Sequence, residues 1–440
     1  VKKVLVLGAG LVARPLVQYL LDLPDYHVTV ASRTVSKGTV MIGDRPNGKA
    51  ISFDITKDGD ALGSLVAEAD LTISLLPYIH HVQVAEACIE NGCHLVTTSY
   101  VKDEMQALDG AAKEAGVLLL NEIGLDPGID HMSAKIIIDQ AHENGGKVTS
   151  FRSYCGGLPA PEANTNPYGY KFSWSPRGVL LAGRNDALYL DDGKEVDVPN
   201  SKLFATHYTV PVEDLGDLDA YPNRDSTPYV DIYGIPETRT MYRGTLRYPG
   251  WCDTWQKFIE LGLLDLTERD DLSDMTYAQL VASMIGKPEA ENLKADLAAH
   301  LGIETDSSVV ERFEWLGLLD DKQIPAVPTV LDAVADLMQQ KLQYNPQERD
   351  MIVLLHDFVV EYPDRKEHIT STLIDFGIPG ADTSMARTVG LPAAIATRLI
   401  LDGEINLTGV HIPVLPEIYE PVLDELAQLG IEMKEQVERL

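Results

Sequence analysis

Residues 4–7, Val-Leu-Val-Leu, are continuously apolar and stop at glycine. A run this short, partly β-branched and closed by glycine, reads as a parallel strand buried on both faces. Over residues 15–21 the apolar positions take helical spacing, and residues 27–31 return to strand character. The alternation continues. Residues 51–53 form a strand that ends at Asp54, and residues 71–76 form one closed by Pro77. Residues 95–100 end in hydroxyls, and residues 117–120 run into Asn121-Glu122-Ile123-Gly124-Leu125-Asp126-Pro127-Gly128. Helical stretches separate these strands, which predicts an α/β domain around a parallel sheet.

Between the first strand and the first helix lies Gly8-Ala9-Gly10-Leu11-Val12-Ala13, a G-x-G-x-x-A sequence. Gly8 permits the tight turn, Gly10 lets a pyrophosphate approach the backbone, and Ala13 lets helix and strand pack closely. The N-terminus of the helix offers unpaired N–H groups and the positive end of its dipole to the phosphates. With a strand before it, a helix after it and a second strand at the expected distance, the fingerprint predicts a dinucleotide site in a Rossmann domain. The end of the second strand selects the cofactor. NAD sites place Asp or Glu there for the ribose 2′-hydroxyl, whereas this chain has Ala31-Ser32-Arg33-Thr34 and no acid before Asp44. Arg33 would pair with a 2′-phosphate, and Ser32 and Thr34 can donate hydrogen bonds, so the expected cofactor is NADP(H). Asp54 ends the third strand and is placed to reach the adenine. Ligands of open α/β sheets bind beyond the carboxyl ends of the strands, which makes Thr97, Thr98, Ser99, Tyr100 and Asp126 a candidate set.

After about residue 130 the pattern changes. Residues 150–255 mix aromatics, glycines and prolines with short strand-like runs, and residues 256–345 take helical spacing with caps such as Thr276. Residues 258–265 echo residues 313–320, each reading as a helix end stopped at glycine. Residues 351–360 return to strand composition, with His356 expected as a packed strand residue. Residues 384–401 read as an apolar helix that packs back on the first domain. The expected architecture is α/β: an N-terminal Rossmann domain over 1–130, completed by part of 380–402, a mixed α/β substrate domain over 131–255 and 346–440, and a small all-helical insertion over 256–345.

Charge narrows the partners. The chain carries 36 Lys+Arg against 67 Asp+Glu, a formal net charge of -31. That field repels nucleic acid and anionic membranes, so neither is an expected partner. Small anionic ligands stay open, because local arginines decide those. Cys88, Cys93, Cys155 and Cys252 form no Cys-x-x-Cys pair and no zinc-like spacing with histidine, so no metal is expected and the thiols read as free in a reducing compartment. No apolar run reaches the roughly 20 residues of a membrane span, and the first residues open into a strand without a secretory pattern. A cytoplasmic protein is the expectation.

The segments GAGLVARP, VTVASRT, SLLPYIHH, LVTTSY, GLDPGIDHM, YKFSWSPRGVL, RGTLRYPGW and MARTVGLPAA occur in this order over nearly the whole chain. Together they resemble the saccharopine dehydrogenase family, in its NADP-dependent, L-glutamate-forming branch. The resemblance implies a homodimer that condenses L-glutamate with 2-aminoadipate 6-semialdehyde and reduces the product to saccharopine with NADPH, in the aminoadipate route of lysine biosynthesis. It also implies site residues. Saccharopine carries three carboxylates and two amines, so cationic clamps are needed. Arg224 suits one carboxylate, Thr245 and Arg247 another, and Asp126 and Ser99 an ammonium group. Leu11, Val12, Ala13, Ser32, Arg33, Thr34, Asp54, Ile55, Leu75, Thr97, Thr98, Leu125, Asp126, Pro127 and Trp174 are the implied cofactor contacts, beside Gly8 and Gly10 of the fingerprint. Asp126 and Tyr100 are carried as the catalytic pair, while Asp130, His131 and Cys155 stay open as acid–base groups. The alternatives are a related NADP-dependent amino-acid or polyamine condensing dehydrogenase, such as carboxynorspermidine dehydrogenase, and a non-catalytic NADP-binding sensor.

Overall fold

The computed structural model describes all residues, Val1–Leu440. The chain divides into two compact units, one of residues 1–148, 360–366 and 371–440, the other of residues 149–359 and 367–370.

The first unit is built on a sheet of seven strands. Six come from the start of the chain: β1 (Lys2–Leu7), β2 (Tyr26–Ser32), β3 (Gly48–Ser52), β4 (Leu71–Ser74), β5 (His94–Thr97) and β6 (Leu118–Leu120). They lie in the order β6-β5-β4-β1-β2-β3, all parallel. The order reverses between β1 and β4, which is where an open α/β sheet leaves a crevice for a ligand. Helix α1 (Ala13–Leu21) buries Leu16, Val17, Leu20 and Leu21. Each such side chain contributes about 1.5–3 kcal/mol when fully buried, so this stripe holds the helix N-terminus at the glycine turn.

The seventh strand, Gly409–His411, comes from near the end of the chain and pairs with β6. The helix Ser384–Asp402 lies against α1. A Cβ on its Gly390 would stand 2.7 Å from the Val12 carbonyl oxygen, so glycine is what lets the two helices meet at the fingerprint turn. The helix Pro416–Gln428 packs on the helix Ile129–Glu143. The boundaries therefore differ from the sequence expectation, which gave 131–148 and, apart from a portion of 380–402, the residues 371–440 to the second domain. Their packing partners are β6, α1 and each other, and pairing over such separations leaves no local trace in the sequence.

The second unit holds a mixed sheet with the strands Tyr208–Val212, Gly216–Pro222, Thr240–Arg247, Lys147–Pro159 and Asp350–Glu361 side by side in that order. The first two pairings are antiparallel and the third is parallel. The helices Trp251–Leu261, Tyr277–Met284, Leu293–Leu301, Ser308–Leu316 and Val330–Lys341 follow. They share one apolar core with residues 168–221, through Tyr168, Trp251, Trp255, Phe258 and Phe313. The helical segment is thus not a separate core, because its apolar faces close over the aromatics that precede it. Thr276 and Gln279 form a capping box, and Gly262 and Gly317 end the two echoing helices in left-handed backbone. His356 is fully buried with its ring edge-on to Phe151 and Phe358, which stack on each other. No helix is long and apolar enough to cross a membrane.

Candidate active site

At the carboxyl ends of β1 to β4 the first unit opens a cleft of about 270 Å³. Gly8, Gly10, Ser32, Arg33, Thr34, Asp54, Ile55 and Leu75 line it. Gly8 sits at φ +112, and its own Cβ would press on the Leu75 carbonyl at 3.1 Å. Gly10 is different: a Cβ there would meet nothing within 4 Å. Packing does not demand glycine at Gly10, and the open space is what a pyrophosphate approaching the backbone requires. Leu11 is exposed, Val12 is the N-cap of α1, and Ala13 is fully buried against the sheet.

The β2 end carries cations and no acid. Arg33 is exposed at the cleft, and Lys37, in the first turn of the helix Val35–Ile42, lines the same wall. The Ser32 hydroxyl donates to the Thr34 carbonyl across 3.0 Å, so it holds the loop instead of offering its proton outward as the sequence suggested. Asp54 accepts from the Thr56 N–H and hydroxyl at 3.1 and 2.8 Å. These bonds, with the charges of Lys57 and Arg33 behind them, hold its carboxyl below the usual carboxylate range. Two cations beside a glycine-lined crevice fit a dinucleotide with an added 2′-phosphate.

The ends of β5 and β6 converge next to this cleft. Ile123 and Glu122 donate their N–H groups to the Thr97 and Ser99 carbonyls, which brings residues 121–128 beside residues 97–101. Glu122 lies at φ +59 and is buried. Its Oε1 accepts the Val101 N–H at 2.8 Å, and its Oε2 lies 2.7 Å from His131 Nε2. Asp130 accepts the Gly128 N–H at 2.6 Å. Gly128, at φ +147, cannot be replaced without a clash, since a Cβ would stand 2.0 Å from the Gly124 carbonyl oxygen. Leu125 and Pro127 are buried, whereas Asp126 between them is half-buried. The Tyr100 hydroxyl donates to Asp126 Oδ1 across 2.7 Å. Ser99 Oγ lies 2.8 Å from His81 Nε2. Of the open acid–base candidates, Asp130 and the fully buried His131 are thus engaged in holding the turn.

In the second unit, Arg224 is exposed and sits in left-handed backbone at φ +58. Its carbonyl accepts the Leu188 N–H at 3.0 Å. Thr245 and Arg247 share one face of the strand Thr240–Arg247, and Thr245 stands opposite Tyr221 on one side and Cys155 on the other. Arg247 is buried, with its guanidinium 5.0 Å from the Tyr170 ring centre and 5.5 Å from that of Trp251. One Nη donates to the Leu246 carbonyl at 2.8 Å, but Nε has no partner. A buried donor left unmet costs about 1–3 kcal/mol, so this guanidinium is primed for an anion. Trp174 belongs to this unit too. Its indole N–H donates to the Tyr170 hydroxyl at 3.2 Å, and its ring rests on Gly178.

Two family models cover the chain: the saccharopine dehydrogenase NADP binding domain matches residues 4–120, and the saccharopine dehydrogenase C-terminal domain matches residues 124–431. The chain belongs to the saccharopine dehydrogenase family. Among the relatives in this family, the saccharopine dehydrogenase (NADP(+), L-glutamate-forming) of Schizosaccharomyces pombe is 42% identical over 99% of this chain and 98% of its own length. The enzyme of the same name from Saccharomyces cerevisiae is 42% identical over 99% of both chains. The alpha-aminoadipic semialdehyde synthase of Bos taurus is 40% identical, and this chain spans 47% of it. The apo S. cerevisiae saccharopine dehydrogenase (L-Glu forming) structure superposes with a TM-score of 0.91 over the whole of both chains, at 41% identity. The homospermidine synthase of Legionella pneumophila shares the fold, with a TM-score of 0.60 at 11% identity.

Three residues beside the saccharopine dehydrogenase fingerprint escaped sequence reasoning. Lys37 had a usable signal, since it lies four residues after Arg33 at the start of a helix. His81 had a weaker one, in the His80-His81 pair after Pro77. Glu122 had none, because its left-handed backbone and burial follow from the strand pairing around it.

Proposed function

We propose that this protein is an NADPH-dependent oxidoreductase that joins L-glutamate to 2-aminoadipate 6-semialdehyde and reduces the adduct to saccharopine. The observation that carries this reading is the hydrogen-bonded Tyr100–Asp126 pair beside a cleft with cations at the β2 end. The names of the full-length relatives support it. Arg33 and Lys37 hold the 2′-phosphate, and the turn at Gly10 with the N-terminus of α1 receives the pyrophosphate.

The chemistry asks little covalent work of the protein. The glutamate amine attacks the aldehyde, water leaves, and a cationic imine carbon forms. NADPH, when bound, supplies the hydride that this carbon accepts. Asp126, steadied by the Tyr100 hydroxyl, sets a carboxylate near the developing positive charge and receives the proton released as the amine adds. Arg224 and Arg247 bind carboxylates of the substrates, and Thr245 adds a hydroxyl. The unmet Nε of buried Arg247 favours a polycarboxylate over a polyamine, which sets aside the polyamine-condensing alternative. Trp174, Thr97, Thr98, Leu125 and Pro127 are read as cofactor contacts that shape the nicotinamide end. The protein acts as a cytoplasmic homodimer in the lysine-biosynthetic direction on this reading.

The test is direct. Purified protein given glutamate, the semialdehyde and NADPH should oxidise NADPH and yield saccharopine by mass spectrometry. Folded protein that consumes no NADPH with both substrates present would overturn the reading. Sedimentation equilibrium checks the dimer.

A further inference from the structure

His81 opens the helix His81–Asn91 and is almost wholly buried. Its Nδ1 lies 2.9 Å from Ser74 Oγ, at the end of β4. Its Nε2 lies 2.8 Å from Ser99 Oγ and 3.1 Å from Thr97 Oγ1, at the end of β5. One imidazole thus gathers three hydroxyls from two strand ends, and only Ser99 among them reaches solvent. Burial, with the charge of His80 behind it, pushes the ring's pKa down to about 4. The ring is therefore neutral at ordinary pH, with one N–H to give and one lone pair to receive.

Counting protons decides the tautomer. If Nδ1 carried the hydrogen, Ser74 would accept it and its own hydroxyl proton would be stranded in a fully buried position. Thr97 and Ser99 would meanwhile compete for a single lone pair on Nε2. With Ser99, the nearer hydroxyl, paired to Nε2, that first arrangement strands the buried protons of both Ser74 and Thr97; if Nε2 carries the hydrogen, the Ser74 hydroxyl donates to Nδ1 and only the Thr97 proton is left. Buried donors are left unmet only at a penalty, so the second arrangement is favoured. Ser99, at the shorter distance, then accepts from the ring and must send its own proton elsewhere.

We propose, on the reading of Ser99 as a substrate contact, that His81 is a positioning residue that turns the Ser99 hydroxyl outward as a hydrogen-bond donor to a substrate carboxylate. The chain runs from the Ser74 O–H to Nδ1, from Nε2–H to Ser99 Oγ, and from the Ser99 O–H to the carboxylate oxygen. Each link polarises the next. Ser99 thus serves an anionic group of the substrate in place of the ammonium that its sequence position suggested, and the ammonium falls to Asp126.

The experiment uses saccharopine and NADP+ with the 440-residue chain. H81N keeps an amide near Nδ1 but cannot reach Ser99, whereas H81Q places an amide N–H near the position of Nε2. H81N should raise the KM for saccharopine about tenfold, the loss of roughly one charge-assisted bond, while NADP+ affinity and melting temperature stay near those of the wild type. H81Q should recover most of the loss. The double variant H81N/S99A should be no worse than S99A alone, because His81 acts through that hydroxyl. An unchanged KM in folded H81N, additive losses in the double variant, or H81Q as poor as H81N would each overturn the proposal. Should H81N fail to fold, S74A carries the test, with a smaller rise in the same KM. A wild-type chain that does not oxidise saccharopine would overturn the functional reading itself and this inference with it, whereas an active wild type with indifferent His81 variants overturns the inference alone.

Discussion

The Tyr100 hydroxyl donates to Asp126 Oδ1 across 2.7 Å, joining the loop after β5 to the tight turn after β6. The bond fixes a carboxylate that its neighbours Leu125 and Pro127, both buried, leave half-buried at the site. Removing the carboxylate and removing its support should have different sizes. D126N should lower kcat about a hundredfold, within the range of a positioned proton-transfer group. Y100F should lower it about tenfold, as for one hydrogen bond to a charged partner. Steady-state kinetics with saturating NADPH checks both. Equal kcat in D126N and wild type would remove Asp126 from the chemistry.

The two cations at the β2 end predict cofactor discrimination. R33A should weaken NADPH binding about 10- to 100-fold through loss of a charge-assisted bond, while NADH binding changes little. K37A should act in the same direction with a smaller effect. Fluorescence titration with each cofactor reads this out, and an equal loss for NADPH and NADH would show that neither side chain senses the 2′-phosphate.

Arg224, proposed above as a carboxylate clamp, sits in strained backbone. A non-glycine residue in left-handed conformation gives up roughly 1–2 kcal/mol, and Arg224 holds φ +58. R224G should therefore be more stable than R224A by about 1 kcal/mol in urea unfolding. Both should raise the KM for saccharopine by a similar large factor, since both lose the guanidinium. A stability order that runs the other way would show that the turn is set by something other than backbone preference.

His81 predicts a pH dependence of stability. Its ring has a pKa of about 4 in the folded protein against an ordinary value of 6.5. Between these values the unfolded chain takes up a proton that the folded chain refuses. Stability therefore falls as pH drops from 6.5 towards 4, and this contribution flattens below 4, where both states are protonated. The shift corresponds to about 3 kcal/mol. Urea unfolding of wild type and H81N across this window should show the wild type losing that much more than the variant. Parallel curves would mean that the ring takes up its proton equally well in both states.

The alternation of short apolar runs and helical spacing made the nucleotide-binding sheet legible, because each parallel strand buried on both faces announces itself locally. The places of Gly8, Gly10 and Arg33 were legible for the same reason, since each follows a strand end, and all three line the cleft. What stayed hidden depended on distance along the chain. Gly409–His411 is too short to show a period, and only its pairing with β6 makes it a strand. Gly390 reads as a helix-weakening residue until Val12 is seen against it. The ring of His81 turns inward through the hydroxyls that surround it, which no spacing reports. The full helical segment was visible, but its shared core with Tyr168 and its neighbours was not, since a helix pattern shows which face is apolar and not what covers it.

The nucleotide-binding unit is not contiguous, and that has a consequence in time. During synthesis, β1 to β6 emerge first, yet β6 keeps one edge unpaired and α1 lacks its neighbour until Ser384–Asp402 and Gly409–His411 have been made. At about 5–20 residues per second, the interval from Leu120 to His411 lasts roughly 15–60 s. Throughout it, the nascent sheet exposes an edge able to pair with the wrong strand. A chain stopped near residue 150 is accordingly an arrested intermediate with an open edge, and the cofactor unit reaches its final form only after His411 has left the ribosome.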